Sequence, residues 1–119
     1  MKINTNERGK WGEQQALSYL CKKGYTPVTR NFKSRFGEID LIVKNSEFIV
    51  FTEVKVRKNT NFAHAREFVS SGKQNKIRTT ANLYMSKRVT SLQPRFDVIE
   101  IYAKDEESKP QINHIENAF

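Results

Sequence analysis

The chain has 119 residues, a net charge of +8 and a single cysteine, Cys21. One cysteine excludes an internal disulfide and a cysteine-rich zinc site, and no apolar run reaches the roughly 18 residues that span a bilayer or resembles a secretion signal. We therefore expect a cytoplasmic protein with one domain, 1–119, no membrane partner and, from its 21 Lys and Arg against 13 Asp and Glu, a nucleic-acid partner.

The first predicted element is a helix over residues 6–23. Leu17, Leu20 and Cys21 lie on an apolar stripe at helical spacing, so they are expected to face the core. Cys21 is accordingly expected to be a small buried apolar residue. Gly24 follows the stripe and is predicted to end the helix.

Six further elements complete the predicted fold. In chain order they are an edge strand Tyr25–Phe32, a hairpin of strands Glu38–Lys44 and Phe48–Arg57, a helix over 70–88 capped by Ser70 or Ser71, a strand Pro94–Ala103 and a short strand over 111–116. The order αβββαββ favours an α/β fold in which helices flank a central mixed β-sheet.

The strand Phe48–Arg57 changes character along its length. Both of its faces are apolar as far as Phe51, which predicts a central strand covered on each side. One face then turns to Glu53 and Lys55, whose desolvation costs several kcal/mol each unless it is compensated. A hairpin through the preceding turn places Asp40 opposite Glu53, on one face, with Lys55 beside them.

Two explanations account for these charges in an apolar hairpin. The first is an ion pair between Lys55 and one of the two carboxylates, Asp40 or Glu53. The second is a divalent cation, which relieves the repulsion between adjacent carboxylates. Carboxylate and main-chain carbonyl oxygens are hard ligands that suit Mg²⁺. We favour the cation, because a structural ion pair is a costly way to end a strand.

Five segments resemble the YraN-like family of uncharacterised bacterial proteins. They are WGEQQALSYLCKKGY, NFKSRFGEIDLIV, FTEVKVRK, RFDVIEI and NAF. Asp40 followed by Glu53-Val54-Lys55 also resembles the Asp…Glu-x-Lys core of the PD-(D/E)xK nucleases, although Ile39 replaces the usual Pro. The resemblance implies a restriction-endonuclease-like fold with an αβββαβ core. It also implies a Mg²⁺-dependent endonuclease that hydrolyses phosphodiester bonds in DNA, with branched or structured DNA as one candidate substrate.

The resemblance also assigns roles to single residues. It implies that Asp40 and Glu53 hold Mg²⁺ or Mn²⁺, with the carbonyl of Val54 as a third ligand. It implies that Lys55 positions the attacking water and offsets charge on the phosphate. Glu13 matches an acidic position that many members take from the first helix. Junction-cutting relatives are dimers, which leaves a homodimer open.

Candidate phosphate contacts lie outside the acidic pair. They are Arg35 in the first turn, Arg57 and Lys58 directly after the candidate site, and Lys73 and Lys76 on one face of the second helix. Basic side chains on one face neutralise phosphates without reading sequence. A solvated helix face is the alternative for Lys73 and Lys76, which Arg66 precedes in the loop.

Other polar residues receive structural predictions. Asp97 is expected to pair with Arg95 or another basic residue at the start of its strand. His64 and His114 are too far apart in sequence to argue a metal pair, so each is expected at the surface or as a hydrogen-bonding neighbour.

Two other classes of function compete with the nuclease. One is a nucleic-acid-binding module that keeps the fold without turnover, and the other is an adaptor whose basic surface meets an acidic partner. The complete set of Asp40, Glu53 and Lys55 favours the enzyme, because a binding module has no need of all three.

Overall fold

A computed structural model describes residues 5–58, 69–105 and 107–119. In chain order its elements are α1 (Thr5–Lys22), β1 (Thr26–Ser34), β2 (Gly37–Lys44), β3 (Phe48–Arg57), α2 (Ser71–Ser86), β4 (Gln93–Tyr102) and β5 (Gln111–Ile115). The predicted order of elements is confirmed, and the bounds agree to within two residues. The predictions for His64 and Arg66 concern residues outside the described ranges. Within those ranges, no helix is both long and apolar enough to cross a membrane.

The strands form one mixed sheet in the order β1-β2-β3-β4-β5. Neighbouring strands are antiparallel except for β3 and β4, which are parallel and are joined through α2. A parallel pair needs such a crossover connection, whereas the tight turn after Lys44 suffices for the antiparallel pair. The predicted α/β class with a central mixed sheet is therefore confirmed, and the topology is compatible with a restriction-endonuclease-like fold.

Each face of the sheet packs against one helix. On the first face, Ala16 and Leu20 of α1 are fully buried in a cluster that includes Val50. On the second face, Tyr84 of α2 packs in a cluster that includes Phe51. β3 is thus covered on both sides, as its two apolar faces predicted.

Cys21 is exposed, so the prediction that it is buried was wrong. It directly follows Leu20, whose side chain is fully buried. Consecutive helix residues are rotated by about 100°, so the position after a central core residue points away from the sheet. Gly24 ends the helix as predicted, with a φ of +98° in the left-handed region that favours glycine.

The C-terminal residue, Phe119, lies against the hydrophobic cluster on the second face of the sheet. The ring of Phe119 stacks on that of Phe96, with 5.3 Å between the centroids. The backbone N–H of Ala118 donates to the carbonyl of Phe96 at 2.7 Å. The sequence left open whether the terminal NAF tucks into the core or an interface, and the structure places Phe119 on the core.

A buried polar network anchors the same segment to β4. Asp97 is fully buried and accepts hydrogen bonds from Nε and Nη2 of Arg95 at 2.9 and 2.8 Å, which confirms the predicted pair. Nε2 of His114 lies 2.7 Å from Oδ2 of Asp97, and the N–H of Asn117 donates to Oδ1. Burial alone raises the pKa of Asp97, but the hydrogen bonds of His114 and Arg95 outweigh it and lower that pKa. His114 is therefore a hydrogen-bonding neighbour, which is one of the two alternatives predicted for it.

Gly12 sets how closely α1 approaches β3. A Cβ added there would overlap Cγ2 of Val56, so any larger residue pushes the helix away from the sheet. We expect Gly12→Ala to lower the free energy of unfolding by about 1–3 kcal/mol in urea titrations, because overpacking forces the core to shift. Gly9→Ala is the matched control. No atom lies within 4 Å of the Cβ it would add, so this change should be neutral or stabilising through helix propensity. Equal effects of the two changes would contradict the close approach.

Candidate active site

The candidate site begins where the β2–β3 ladder stops. Paired positions run from Lys44 with Ile49 to Leu41 with Thr52. One further step in this register brings Asp40 opposite Glu53, as predicted from the position of the turn. The ladder, however, ends one pair earlier, at Leu41 and Thr52. Instead, Oδ2 of Asp40 accepts a hydrogen bond from the N–H of Val54 at 2.8 Å. The carboxylate therefore bridges the two strands at the point where their backbones separate.

Glu53 lies at the centre of an acid–lysine cluster. Its side chain is only 7% exposed. Nζ of Lys73 donates to Oε1 of Glu53 at 2.7 Å, and Nζ of Lys55 lies 3.7 Å from the same oxygen. The charges of two lysines thus compensate one buried carboxylate. The ion pair predicted within the hairpin, between Lys55 and Glu53, is present, and Lys73 adds a second from outside the hairpin.

Lys73 reaches Glu53 from the first turn of α2. Ser70 caps this helix, as predicted, and its Oγ accepts the N–H of Lys73 at 3.2 Å. The cap therefore fixes the backbone from which the Lys73 side chain extends. The sequence placed Lys73 on a surface for phosphate binding and missed its contact with Glu53. Twenty residues separate the two, and no local pattern records such a pairing.

The acids of the site repel one another. Burial, and next the charge of Glu53, raises the pKa of Asp40 to about 7, although the hydrogen bond from the Val54 N–H opposes the rise. The charges of Glu13 and Glu38 add smaller effects in the same direction. A carboxyl in this state holds a proton near neutrality and releases it when a cation arrives.

The two lysines differ in proton affinity. Burial, together with the hydrogen bond and the charge of Lys73, lowers the pKa of Lys55. Burial acts to lower the pKa of Lys73, but its hydrogen bonds to Glu53 and Lys55, together with the charges of Glu53 and Asp40, raise that pKa overall. Lys73 is therefore the more firmly charged member of the pair, and Lys55 gives up its proton more readily.

Glu13 lies near the cluster but has a partner of its own. Its Oε1 accepts a hydrogen bond from Nδ2 of Asn31 on β1 at 3.1 Å. Asn31 has a φ of +52°, in the left-handed region that asparagine tolerates better than most residues. The charge of Glu13 reaches Asp40, whose pKa it raises. The structure thus brings Glu13 into the electrostatic surroundings of the site without a contact to Glu53.

The five candidate phosphate contacts are spread over three elements. Lys73 enters the acid–lysine cluster, and Lys76, one turn later, lines an adjacent groove. Arg57 ends β3 and Lys58 follows it. Arg35 lies in the β1–β2 turn, with its guanidinium over an aromatic ring. Lys73 therefore contacts the acid–lysine cluster, Lys76 is exposed beside the groove, and the phosphate contacts stay predictions.

Glu100 is a buried acid that received no prediction. Its side chain is fully buried on β4, at the position paired with Lys55 on β3. Oε2 of Glu100 accepts from Nε of Arg57 and Oε1 from Nδ2 of Asn113, both at 3.0 Å. This carboxylate therefore fixes the Arg57 side chain beside the cluster. The signal available in the sequence was a charge inside the apolar run Val98–Ile101.

Among the described residues, the candidate metal ligands at this site are two acidic side chains, Asp40 and Glu53. Within the described ranges, no three His, Cys, Asp or Glu side chains converge as a ligand set. Mg²⁺ commonly takes one or two protein carboxylates and completes its shell with waters and substrate phosphates. The pair of Asp40 and Glu53 fits that pattern, because the charge of Glu53 raises the pKa of Asp40 and a cation relieves this repulsion.

Fold and site together define an α/β protein with an acid–lysine cluster where two central strands separate. The chain belongs to the uncharacterised protein family UPF0102, whose model matches residues 12–101. It is 45% identical to a UPF0102 protein of Caldanaerobacter subterraneus subsp. tengcongensis, over 99% of this chain and 98% of the relative. Identities are 44% to a relative from Syntrophomonas wolfei (95% and 97% covered) and 42% to one from Clostridioides difficile (98% and 100% covered). The family membership predicted from the five segments is confirmed.

Proposed function

We propose that the protein is a Mg²⁺-dependent endonuclease that hydrolyses phosphodiester bonds in DNA, and that branched or structured DNA is among its substrates. The observation that carries the proposal is the convergence of three groups. Glu53 lies 3.7 Å from the ammonium of Lys55, and its charge raises the pKa of Asp40. Acidic oxygens and an ammonium at one point suit a reaction in which negative charge develops on a phosphate.

Each group has a proposed task. Asp40 and Glu53, with the carbonyl of Val54, hold Mg²⁺ or Mn²⁺. The metal supplies Lewis-acid polarisation of the phosphate and a more acidic bound water. Lys55 orients that water, and its lowered pKa leaves a larger fraction of it neutral, and so free to take up a proton, than in an ordinary lysine. Glu13 adds negative charge that favours the cation.

The basic residues have the proposed task of holding the DNA backbone. Nε of Arg57 donates to Glu100, and this contact fixes the orientation of the rest of the guanidinium. An arginine fixed in this way binds phosphate with less loss of side-chain entropy than a free one. Lys58, Lys76 and Arg35 extend positive charge beyond the site, where contacts to phosphate position the duplex without reading its sequence.

One observation favours a second function, a nucleic-acid-binding module without turnover. Lys73 donates to Oε1 of Glu53 at 2.7 Å and so compensates the buried carboxylate with no metal. A protein that never binds a metal has the same need for this contact. The nuclease and the binding module predict different effects of removing Lys73.

We expect Lys73→Gln to tighten Mn²⁺ binding about tenfold in calorimetric titrations. The substitution frees an oxygen of Glu53 that the ammonium occupies and removes a positive charge that repels the metal. Lys76→Gln is the control, because it changes the net charge equally from one turn further along α2. The proposed competition fails if both variants bind Mn²⁺ with the affinity of the parent protein.

The direct test of the function is cleavage. Labelled duplex, junction, flap and single-stranded DNA are incubated with purified protein in Mg²⁺, in Mn²⁺ and in EDTA. We expect cleavage in both metals and none in EDTA, and a Lys55→Ala preparation purified in parallel excludes a contaminating nuclease. Binding without cleavage in either metal would refute the nuclease and support the binding module. Absence of binding would refute both functions.

A further inference from the structure

The turn between β1 and β2 exposes an aromatic ring. Phe36 is 39% exposed, although large apolar side chains are normally buried. The guanidinium of Arg35 lies 4.8 Å from the centroid of that ring. An aromatic face beside a cation is a combination that binds nucleobases by stacking and phosphates by charge.

The turn is held rigidly against α2. Oγ of Ser34 accepts the N–H of Phe36 at 3.1 Å and lies 3.0 Å from Oγ1 of Thr80 on α2. Gly37 also approaches this helix closely, since a Cβ there would lie 3.4 Å from Cβ of Lys76. Phe36 is thus presented from a fixed backbone, which reduces the entropy lost when a ligand binds it.

A groove leads from this turn to the candidate active site. Gly37 and Glu38 form one wall, directly after Phe36 in the chain, and residues of α2 and its cap form the other. Its volume of about 410 Å³ lies within the range of sites that hold small ligands. Lys73 lines the groove and also contacts Glu53, so the groove borders the acid–lysine cluster.

We propose that Phe36 and Arg35 form a stacking site for an unpaired nucleobase of the nucleic acid on which the protein acts. This inference rests on the proposed function and adds a class of substrate to it. Phe36 stacks on the face of the base, and the groove receives the strand between that base and the candidate active site. A base inside a duplex has both faces covered by its neighbours, so only an unpaired or terminal nucleotide offers a free face.

The test uses a DNA duplex that carries one unpaired 2-aminopurine, whose fluorescence changes when it stacks. Titrations are done in EDTA, so that binding is measured without cleavage. We expect Phe36→Ala to weaken binding of this probe about tenfold and to abolish the fluorescence change, because stacking on an aromatic side chain contributes strongly per base. Phe36→Tyr keeps the ring and should restore both signals.

Two controls separate stacking from general effects. Leu83→Ala removes an apolar side chain of nearly equal exposure, 38%, from α2 and should leave binding unchanged. A fully paired circular duplex with the same label has no terminal base and should bind parent protein and Phe36→Ala equally. Probe binding and fluorescence that are unaffected by Phe36→Ala overturn the stacking site.

Failure of this inference differs from failure of the proposed function. Metal-dependent cleavage together with a fluorescence signal that does not need Phe36 refutes the stacking site alone. A signal that depends on Phe36, without cleavage in any metal, refutes the nuclease and supports the stacking site in a binding module.

Discussion

Asp40→Asn should stabilise the metal-free protein above pH 7 and abolish metal-dependent cleavage. The folded state raises the pKa of Asp40 to about 7, so between about pH 4 and pH 7 the folded chain binds a proton that the unfolded chain has lost. Stability of the parent protein therefore falls as the pH rises through this window. Asparagine carries no charge to desolvate and still offers an oxygen to the N–H of Val54.

The stability difference has a distinctive pH profile. We expect the variant to gain on the order of 1–3 kcal/mol over the parent by pH 8, with little difference near pH 4. Urea titrations at a series of pH values measure it. Glu38→Gln is the control, since it removes an exposed acid whose charge adds the smallest effect on Asp40. A gain that is the same at pH 4 and pH 8 would contradict a raised pKa.

Added Mg²⁺ should reverse the order of the two proteins. A cation bound to the folded state alone stabilises it by an amount that grows with the logarithm of its concentration above the dissociation constant. Above pH 7 we expect Mg²⁺ to raise the melting temperature of the parent protein and to leave that of Asp40→Asn unchanged. As the pH falls below 7, the parent should lose this response, because protons compete with the metal for Asp40. An equal response of both proteins would remove Asp40 from the ligand set.

Lys55→Ala should reduce the rate of cleavage about 10²–10³-fold, the usual cost of removing one preorganised group that meets charge in a transition state. Lys55 lies 3.7 Å from Glu53, within reach of a phosphate held at the acidic pair. Binding of DNA should change by less than about threefold, since one phosphate contact among several carries a small share of the affinity. Single-turnover cleavage and filter-binding measurements separate the two quantities.

Two comparisons sharpen the reading of that experiment. Lys44→Ala removes the same charge from the opposite end of the hairpin and should retain full activity, because Lys44 pairs with Ile49 far from Glu53 in the ladder. Lys55→Arg should also be strongly impaired, since a planar guanidinium cannot replace a compact ammonium that gives up a proton. Full activity of Lys55→Ala would assign the chemistry to other residues.

The part of the fold that sequence predicted well is the part built from neighbours in the chain. The β2–β3 hairpin depends on a short turn and on alternating side chains, so its register and the approach of Asp40 to Glu53 follow from a stretch of fewer than twenty residues. The catalytic roles of these residues stay predictions. The family relation was likewise readable, because its five segments extend over nearly the whole chain.

What sequence did not predict depends on contacts between distant elements. The ion pair of Lys73 with Glu53 needs α2 to cross the sheet at one particular position, which no local pattern specifies. The role of Glu100 depends on Arg57 and Asn113 meeting from two other strands. Burial of Cys21 was predicted from an apolar stripe. The rotation of about 100° between consecutive helix residues, however, decides which residues of that stripe reach the core.

The first strand has a consequence for self-association. β1 lies at the edge of the sheet, and its free backbone groups are a template for joining another chain's strand. Pro27 lacks an N–H, the register shifts between Pro27 and Thr29, and Asn31 bends the backbone with a positive φ. These irregularities interrupt any long ladder along that border. Two copies of the protein should therefore resist fusion into a continuous intermolecular sheet through β1, even in concentrated solution.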